Sequence, residues 1–145
     1  MAFKLEALLK LRKNEENEEL KRFAEINKHL IKQKDQLRVN QETKKENFQS
    51  LDKHIRENPK TKILWLYNNF FEGSFYQEKL SKEVISEVEE KLDSQRKELT
   101  EAMRKRKILE LLKERQAQVL RKKIFKQELD SLDESASNSW ERTRQ

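Results

Sequence analysis

Four consecutive basic side chains, Arg104 to Lys107, are the residues whose charge and spacing point most clearly to chemistry. They stand near the start of the stretch MRKRKILELLKERQ, residues 103–116, in which a leucine-rich helical pattern follows at once. Such a block is typical of a nucleic-acid grip, a membrane anchor or one end of a coiled coil that fits a partner protein. Adjacent residues on a helix point about 100° apart, so we expect the four side chains to form a collar around it.

The position of the block argues against a specific nucleic-acid reader. A forked basic-helix reader carries its basic residues outside the zipper, whereas Leu109 and Leu112 continue the apolar pattern directly after this block. From Met103 to Lys126 there are ten Lys or Arg residues against two Glu, and the next ten residues, QELDSLDESA, carry four acids and no base. The charge therefore predicts non-specific affinity at most, and no specific nucleic-acid partner.

Other catalytic or binding chemistry lacks a matching pattern. His29 and His54 are far apart and the chain has no cysteine, so the sequence predicts no metal site. A single glycine excludes phosphate-cradling and dinucleotide-binding loops. Carboxylate pairs such as Glu15 and Glu16 need a water-excluding pocket to act as acid and base, and a helical hairpin has none. We expect no enzymatic activity, no catalytic residue and no cofactor.

Composition limits the fold to helices. Of 145 residues 41% are charged and 34% hydrophobic, so the chain must bury a stripe and not a broad core. One glycine and one proline leave almost no turn chemistry for a sheet. The longest uncharged apolar run, ILWLYNNFF at 63–71, is far shorter than the ~20 residues of a spanning helix. The expectations are an all-α class, no direct membrane insertion and a cytoplasmic location.

Heptad patterns predict two long helices. Helix one runs over about residues 3–57 and helix two over about 75–135, with a frayed tail at 136–145. The d positions of helix one are Phe23, Leu30, Leu37, Lys44 and Leu51, and its a positions are Leu20, Asn27, Lys34, Gln41, Phe48 and Ile55. In helix two the a positions are Ile85, Leu92, Leu99, Arg106, Lys113 and Leu120, and the d positions are Val88, Gln95, Ala102, Leu109, Gln116 and Lys123.

Residues 58–74 are predicted to connect the helices. Asn58 and Pro59 suit the start of a short helix over 59–72, and Gly73 followed by Ser74 suits its end and a new capping box. Six of the eleven aromatic residues lie within 65–76, and whether they are buried or exposed stays open at this point. The prediction is one domain, 1–145, folded as a long antiparallel two-helix coiled coil with both chain ends together at one tip.

The C-terminal third resembles the FliJ family of flagellar type III export proteins. The residues that carry the resemblance are Lys107, Leu109, Glu110, Leu112, Lys113, Glu114 and Arg115, followed by Glu128, Asp130, Asp133, Glu134 and Ala136. The N-terminal FKLEALLKLRKNEENE is similar to the start of the family at Phe3, Leu5, Leu8, Leu11, Arg12 and Glu15.

The resemblance implies a role and a set of partners. Family members are antiparallel coiled coils similar to the central stalk of rotary ATPases; they insert into the hexameric export ATPase and promote its assembly. The resemblance further implies coupling to the cytoplasmic part of the export-gate membrane protein, contacts with export chaperones, and peripheral association with the membrane at the flagellar base. The ATPase-binding residues are then expected to be Leu8, Leu11, Arg12, Arg104, Lys107, Glu110, Lys113 and Arg115, and those at the gate Phe70, Phe71 and Phe75.

Two alternatives remain at this point. The stalk protein of a virulence type III secretion system shares the architecture. A generic basic coiled-coil scaffold or nucleic-acid-associated protein would share the charge, but its binding should weaken steeply with added salt.

Overall fold

A computed structural model describes residues 3–57 and 60–144, and over these residues the chain forms two α-helices and no strand. Helix α1 spans Glu6–Glu57 and helix α2 spans Thr61–Arg144. The two helices pack against each other, which confirms the predicted all-α class. Lys60 caps α2, because its carbonyl accepts hydrogen bonds from the backbone N–H of Ile63 and of Leu64, each at 3.1 Å. The predicted cap at Asn58 and Pro59 lies outside the described residues.

The chain forms two compact units, and each contains part of both helices. The central unit comprises residues 17–100, and the terminal unit comprises residues 1–16 together with 101–145. Within each unit the α1 segment runs antiparallel to the α2 segment. In the central unit, for instance, Glu19 contacts Gln95 whereas Phe48 stacks on Phe71. The expectation of a single domain stays a prediction.

The core of the central unit is one narrow seam. Leu30, Ile85, Val88 and Leu92 form its buried centre, and Phe23, Ile26 and Leu37 pack against it. On α2 the buried and half-buried residues keep the predicted alternation of three and four, so the a and d positions from Ile85 to Leu109 are confirmed.

On α1 only half of the predicted seam is right. The d positions from Phe23 to Leu51 are buried or half-buried, but most of the predicted a positions are exposed, among them Leu20 and Ile55. Ile26, Gln33 and Asn47, each three residues after a d position, are half-buried instead. The predicted a residue Asn27 is half-buried as well, and of these two neighbours Ile26 removes more apolar surface from water.

The predicted break at Gly73 is wrong. α2 continues through residue 73 without a positive φ, so residues 61–72 are not a separate helix and helix two does not begin at 75. The reason is tertiary packing: Phe71, Glu78 and Ile85 follow one another at seven-residue intervals on the side that faces α1. Gly73 lies on the exposed side, where its cost to the helix is only about 1 kcal/mol.

The predicted helix end near residue 135 and the frayed tail are also wrong. In the terminal unit Phe3 lies beside Leu120 and Lys123, and α2 then continues to Arg144. The 21 residues from Ile124 to Arg144 therefore extend beyond the N-terminal segment by about 30 Å. Phe3 and Arg144, the outermost described residues, therefore do not lie side by side, contrary to the expectation for the chain ends.

Replacement of Gly73 by alanine tests the continuous helix. We expect Gly73→Ala to raise the free energy of unfolding by about 0.5–1 kcal/mol, because the new methyl group restricts the unfolded chain. It meets no atom within 4 Å. Urea unfolding followed by circular dichroism measures the change.

Ser74→Ala is the matched control for the rejected capping box. Loss of a serine cap would cost about 1 kcal/mol. We expect no loss, since Ser74 lies inside the helix. A destabilised Ser74→Ala together with a destabilised Gly73→Ala would restore the predicted break.

Candidate partner-binding surfaces

The basic block divides between the inside and the outside of the terminal unit. Arg106 turns inward: its Nη1 donates to Glu110 Oε2 at 2.6 Å, and its Nε forms an ion pair with Glu16 on α1. The hydrogen bond to Glu110, helped by the charge of Glu16, raises the pKa of the Arg106 guanidinium above its ordinary value. Arg104 turns outward, and its Nη1 lies 3.4 Å from Glu101 Oε2, one turn earlier on the same helix. Of the four basic residues expected to form a collar, Arg106 thus faces inward and the other three are exposed.

Two of the expected ATPase-binding residues form ion pairs within the terminal unit. Lys113 Nζ lies 2.9 Å from Glu6 Oε2, and Glu110 Oε1 lies 4.0 Å from Lys13 Nζ. The hydrogen bond from Lys113 is the main cause that lowers the pKa of Glu6. Both pairs join α1 to α2, so Glu110 and Lys113 have intramolecular partners.

The apolar residues of α1 that were expected to bind the ATPase differ in exposure. Leu9, which was not among the expected site residues, is the most buried side chain of the terminal unit at 1% exposure, and Leu8 is half-buried. Leu11 lies two residues after Leu9, points away from the seam and is 50% exposed. Arg12 Nη1 donates to Glu15 Oε2 at 2.9 Å. Leu11 is therefore an apolar side chain of this segment that a partner can reach, as is Leu5 at 40% exposure.

The remaining expected residues share one side of α2. Arg104, Lys107 and Arg115 are exposed, and Leu111 lies between them with 49% exposure. Leu109 is buried against α1, and two residues further along a helix corresponds to about 200° of rotation, so Leu111 faces away from α1. We call Arg104, Lys107, Leu111 and Arg115 the outward face. Three positively charged side chains around one leucine suit a partner surface that is both acidic and apolar.

The aromatic cluster of the central unit is part buried and part exposed. Phe71 is buried, stacks on Phe48 with ring centroids 3.9 Å apart, and touches the ring of Phe70 edge-on at 5.5 Å. Trp65 and Tyr76 are largely exposed. Phe71 therefore belongs to the seam, whereas Phe70 lies at its margin.

Phe75 is exposed but is held by a charged network. Lys44 Nζ lies 4.5 Å from the centre of its ring and 2.5 Å from Glu78 Oε2. Gln41 and Lys82 also donate to Glu78, at 3.2 Å and 3.1 Å. The hydrogen bond from Lys44, then those from Gln41 and Lys82, lowers the pKa of Glu78 to about 2.

A second polar pair of the central unit was not expected from the sequence. The buried side-chain amide of Gln95 donates to the backbone carbonyl of Glu19 at 3.2 Å and to the Glu19 carboxylate. The sequence does contain a signal for this pair. Gln95 occupies a predicted d position, and a polar residue there needs a hydrogen-bond partner across the seam.

Metal-binding and membrane-spanning features were sought among residues 3–57 and 60–144. In that part of the chain no three or more His, Cys, Asp or Glu side chains are grouped so that they could hold a metal ion. Neither α1 nor α2 contains a stretch long and apolar enough to cross a membrane.

Comparison with known proteins gives one family. The family described as "Flagellar FliJ protein" matches residues 1–145, the whole chain. No curated protein and no solved structure matches the chain. Of the two secretion systems that the sequence leaves open, the family match names the flagellar one.

The charged network around Glu78 gives a pH-dependent contribution to stability. Its folded pKa of about 2 lies below the ordinary value of 4.5, so the contribution is complete above pH 4.5 and is lost as the pH falls towards 2. We expect Glu78→Gln to lower the free energy of unfolding by about 1 kcal/mol at pH 7. This difference from the wild-type protein should shrink as the pH falls from 4.5 towards 2.

Acid and urea unfolding of both proteins measures this difference. The exposed Glu83→Gln is the control and should leave stability unchanged at every pH. A Glu78→Gln effect of the same size at pH 7 and pH 2 would show that the carboxylate charge does not contribute.

Proposed function

The chain belongs to the FliJ family of non-catalytic flagellar export components, and from this premise we propose that it acts as a central-stalk-like coiled coil. It binds the hexameric export ATPase through the terminal unit and promotes assembly of the ring. It couples the ring to the cytoplasmic part of the export-gate membrane protein and contacts export chaperones. It works in the cytoplasm, peripherally associated with the membrane at the flagellar base.

One observation carries the ATPase contact. Within the terminal unit Arg106, Glu110 and Lys113 each pair with a residue of α1. The residues of the outward face make no such pair across to α1 among the described contacts; Arg104 pairs with Glu101 of its own helix. Exposed arginine and lysine side chains can donate to the carbonyl and carboxylate groups that line a ring opening. Leu11 adds an exposed apolar contact on α1. The proposed ATPase-binding set is therefore narrower than expected: Leu11, Arg104, Lys107 and Arg115, with Leu8 and Arg12 beside them.

The gate contact is proposed at the exposed aromatic residues of the central unit. Phe75 offers more than half of its surface, and Phe70 offers about a third, at 55% and 37%. Aromatic side chains are frequent anchors of protein interfaces. Phe71 is removed from this set, because its ring is buried against Phe48.

Charge reversal on the outward face tests the ATPase contact. We expect Arg104→Glu with Lys107→Glu to weaken binding to the export ATPase at least about tenfold, because two attractive charges become repulsive. Ring assembly and ATP turnover should fall with binding. A pull-down with the purified ATPase, scored by ring assembly and ATP turnover, measures all three.

Lys45→Glu with Lys53→Glu is the matched control, since it reverses two exposed lysines of the central unit. This control should bind and stimulate the ATPase like the wild-type chain. If the outward-face variant also does so, the assignment of the ATPase contact is wrong.

Substitution of two phenylalanines distinguishes an effect on gate binding from an effect on core packing. Phe71→Ala should lower the free energy of unfolding by about 3–5 kcal/mol, because it removes a buried ring. Phe75→Ala should leave folding nearly unchanged and weaken binding to the cytoplasmic part of the gate protein. Calorimetric titration and urea unfolding separate the two effects, and normal gate binding by a folded Phe75→Ala would contradict the proposal.

A further inference from the structure

The C-terminal part of α2 carries an apolar stripe that no described part of the chain covers. Every residue from Arg121 to Arg144 is exposed. Within this segment Phe125, Leu129, Leu132, Ala136 and Trp140 follow one another at steps of four, three, four and four residues, so they share one side of the helix. Leu132 is 65% exposed and Trp140 is 62% exposed. We call these five residues the C-terminal stripe.

The stripe is not a continuation of the seam with α1. Leu129 lies twenty residues after Leu109, which is buried against α1, and that spacing corresponds to about 200° around the helix. The stripe therefore faces away from the side that α1 occupies. A helix of this length gains most of its stability from packing of an apolar side, so an uncovered stripe indicates a partner helix.

We propose that the partner is a second copy of this chain, whose C-terminal segment packs antiparallel on the first. In heptad terms Leu129 and Ala136 are a positions, and Phe125 and Leu132 are d positions. An antiparallel pair centred between residues 130 and 131 places Leu129 opposite Leu132 of the second copy. It also places Phe125 opposite Ala136 of the second copy, a large side chain against a small one. A shift by one heptad in either direction would set Leu129 or Leu132 against a polar residue.

Charge supports the same arrangement. The segment is basic at its start, with Arg121, Lys122, Lys123 and Lys126, and acidic in its middle, with Glu128, Asp130, Asp133 and Glu134. The antiparallel pair brings Lys126 beside Asp133 of the second copy, and the twofold symmetry repeats this contact. A shift by one heptad would instead place Lys126 beside Lys126 of the second copy, or Asp133 beside Asp133, and so bring like charges together. Glu128 meets Ser135 on the other flank, and Arg121 meets Arg142 at the outer ends, where their long side chains reach water.

A parallel pair is disfavoured by its flanking charges. In parallel coiled coils a g residue meets the e residue five positions later on the partner helix. Arg121 would then meet Lys126, and Glu128 would meet Asp133, so both contacts between charged residues join like charges. The apolar stripe alone would permit either direction, so these charges set the orientation.

The antiparallel pair also covers the most exposed apolar side chains of this region. Trp140 falls beside Val119 of the second copy, and Val119 is 66% exposed in the single chain. The overlap covers about residues 118–143 and leaves Arg104, Lys107 and Arg115 free. The inference therefore does not rest on the proposed function, and the two can be tested separately.

Sedimentation of the purified full-length chain over a range of concentrations tests the inference. We expect a monomer–dimer equilibrium. Lys126→Asp alone and Asp133→Lys alone should each raise the dissociation constant about tenfold or more, because two attractive contacts become repulsive in each symmetric dimer. An equimolar mixture of the two variants should form heterodimers with nearly wild-type affinity, since every contact is again between opposite charges.

The mixture distinguishes lost contacts from misfolding, because two unfolded variants would not form a dimer when mixed. Lys123→Asp and Glu134→Lys, which lie on other sides of the helix, are controls with the same charge changes and should leave the dimer intact. A wild-type chain that stays monomeric would overturn the inference. Stronger dimers of the single variants would overturn the antiparallel orientation. In a parallel pair the aspartate introduced by Lys126→Asp would meet Arg121, and the lysine introduced by Asp133→Lys would meet Glu128, so both variants would gain attractive contacts.

Discussion

Each unit of the structure depends on a narrow seam between its α1 segment and its α2 segment. Each helix offers one apolar side chain every three or four residues, and the buried centre of the central unit consists of only Leu30, Ile85, Val88 and Leu92. Such a seam leaves most of each helix surface in water. It therefore decides two things at once: which side chains hold the fold, and which remain for partners.

Polar pairs across the seam fix the register of α1 against α2. Lys44 with Glu78, Gln95 with Glu19 and Arg106 with Glu16 each join α1 to α2 within one unit. A displaced register would leave these groups half-buried without partners, which costs more than the pairs contribute when formed. Apolar contacts supply most of the stabilisation, and the polar pairs restrict the two helices to one alignment.

The seam also explains why neighbouring bases have different roles. Arg106 faces Glu16 and is structural, whereas Arg104 and Lys107 lie on the other side of the same turn and are exposed. A mutation that disrupts an ion pair of the chain and one that disrupts a partner contact can therefore be one or two residues apart. Function in this chain is best assigned from the side of the helix on which a residue lies, and only then from its charge.

Periodicity in the sequence was sufficient for the two helices, the α2 register from Ile85 to Leu109 and the d positions of α1. It failed where tertiary packing overrides local preference: Gly73 is a helix breaker by itself but lies inside a helix whose packing extends on both sides. The outward bases could be predicted, but the pairing of Glu110 with Lys13 and of Lys113 with Glu6 could not, because only the fold brings these residues together. Likewise, residue type does not distinguish buried Phe71 from exposed Phe75, because the stacking partner Phe48 is distant in sequence.

The most direct measurement of the central claim, that the outward face of the terminal unit contacts the export ATPase, is site-specific photo-crosslinking. A photoreactive residue placed at Lys107 or Arg115 should crosslink to the purified ATPase, because both positions are exposed and lie on that face. The same residue at Lys45, exposed in the central unit, should not. Crosslinks from Lys45 with none from Lys107 or Arg115 would contradict the account.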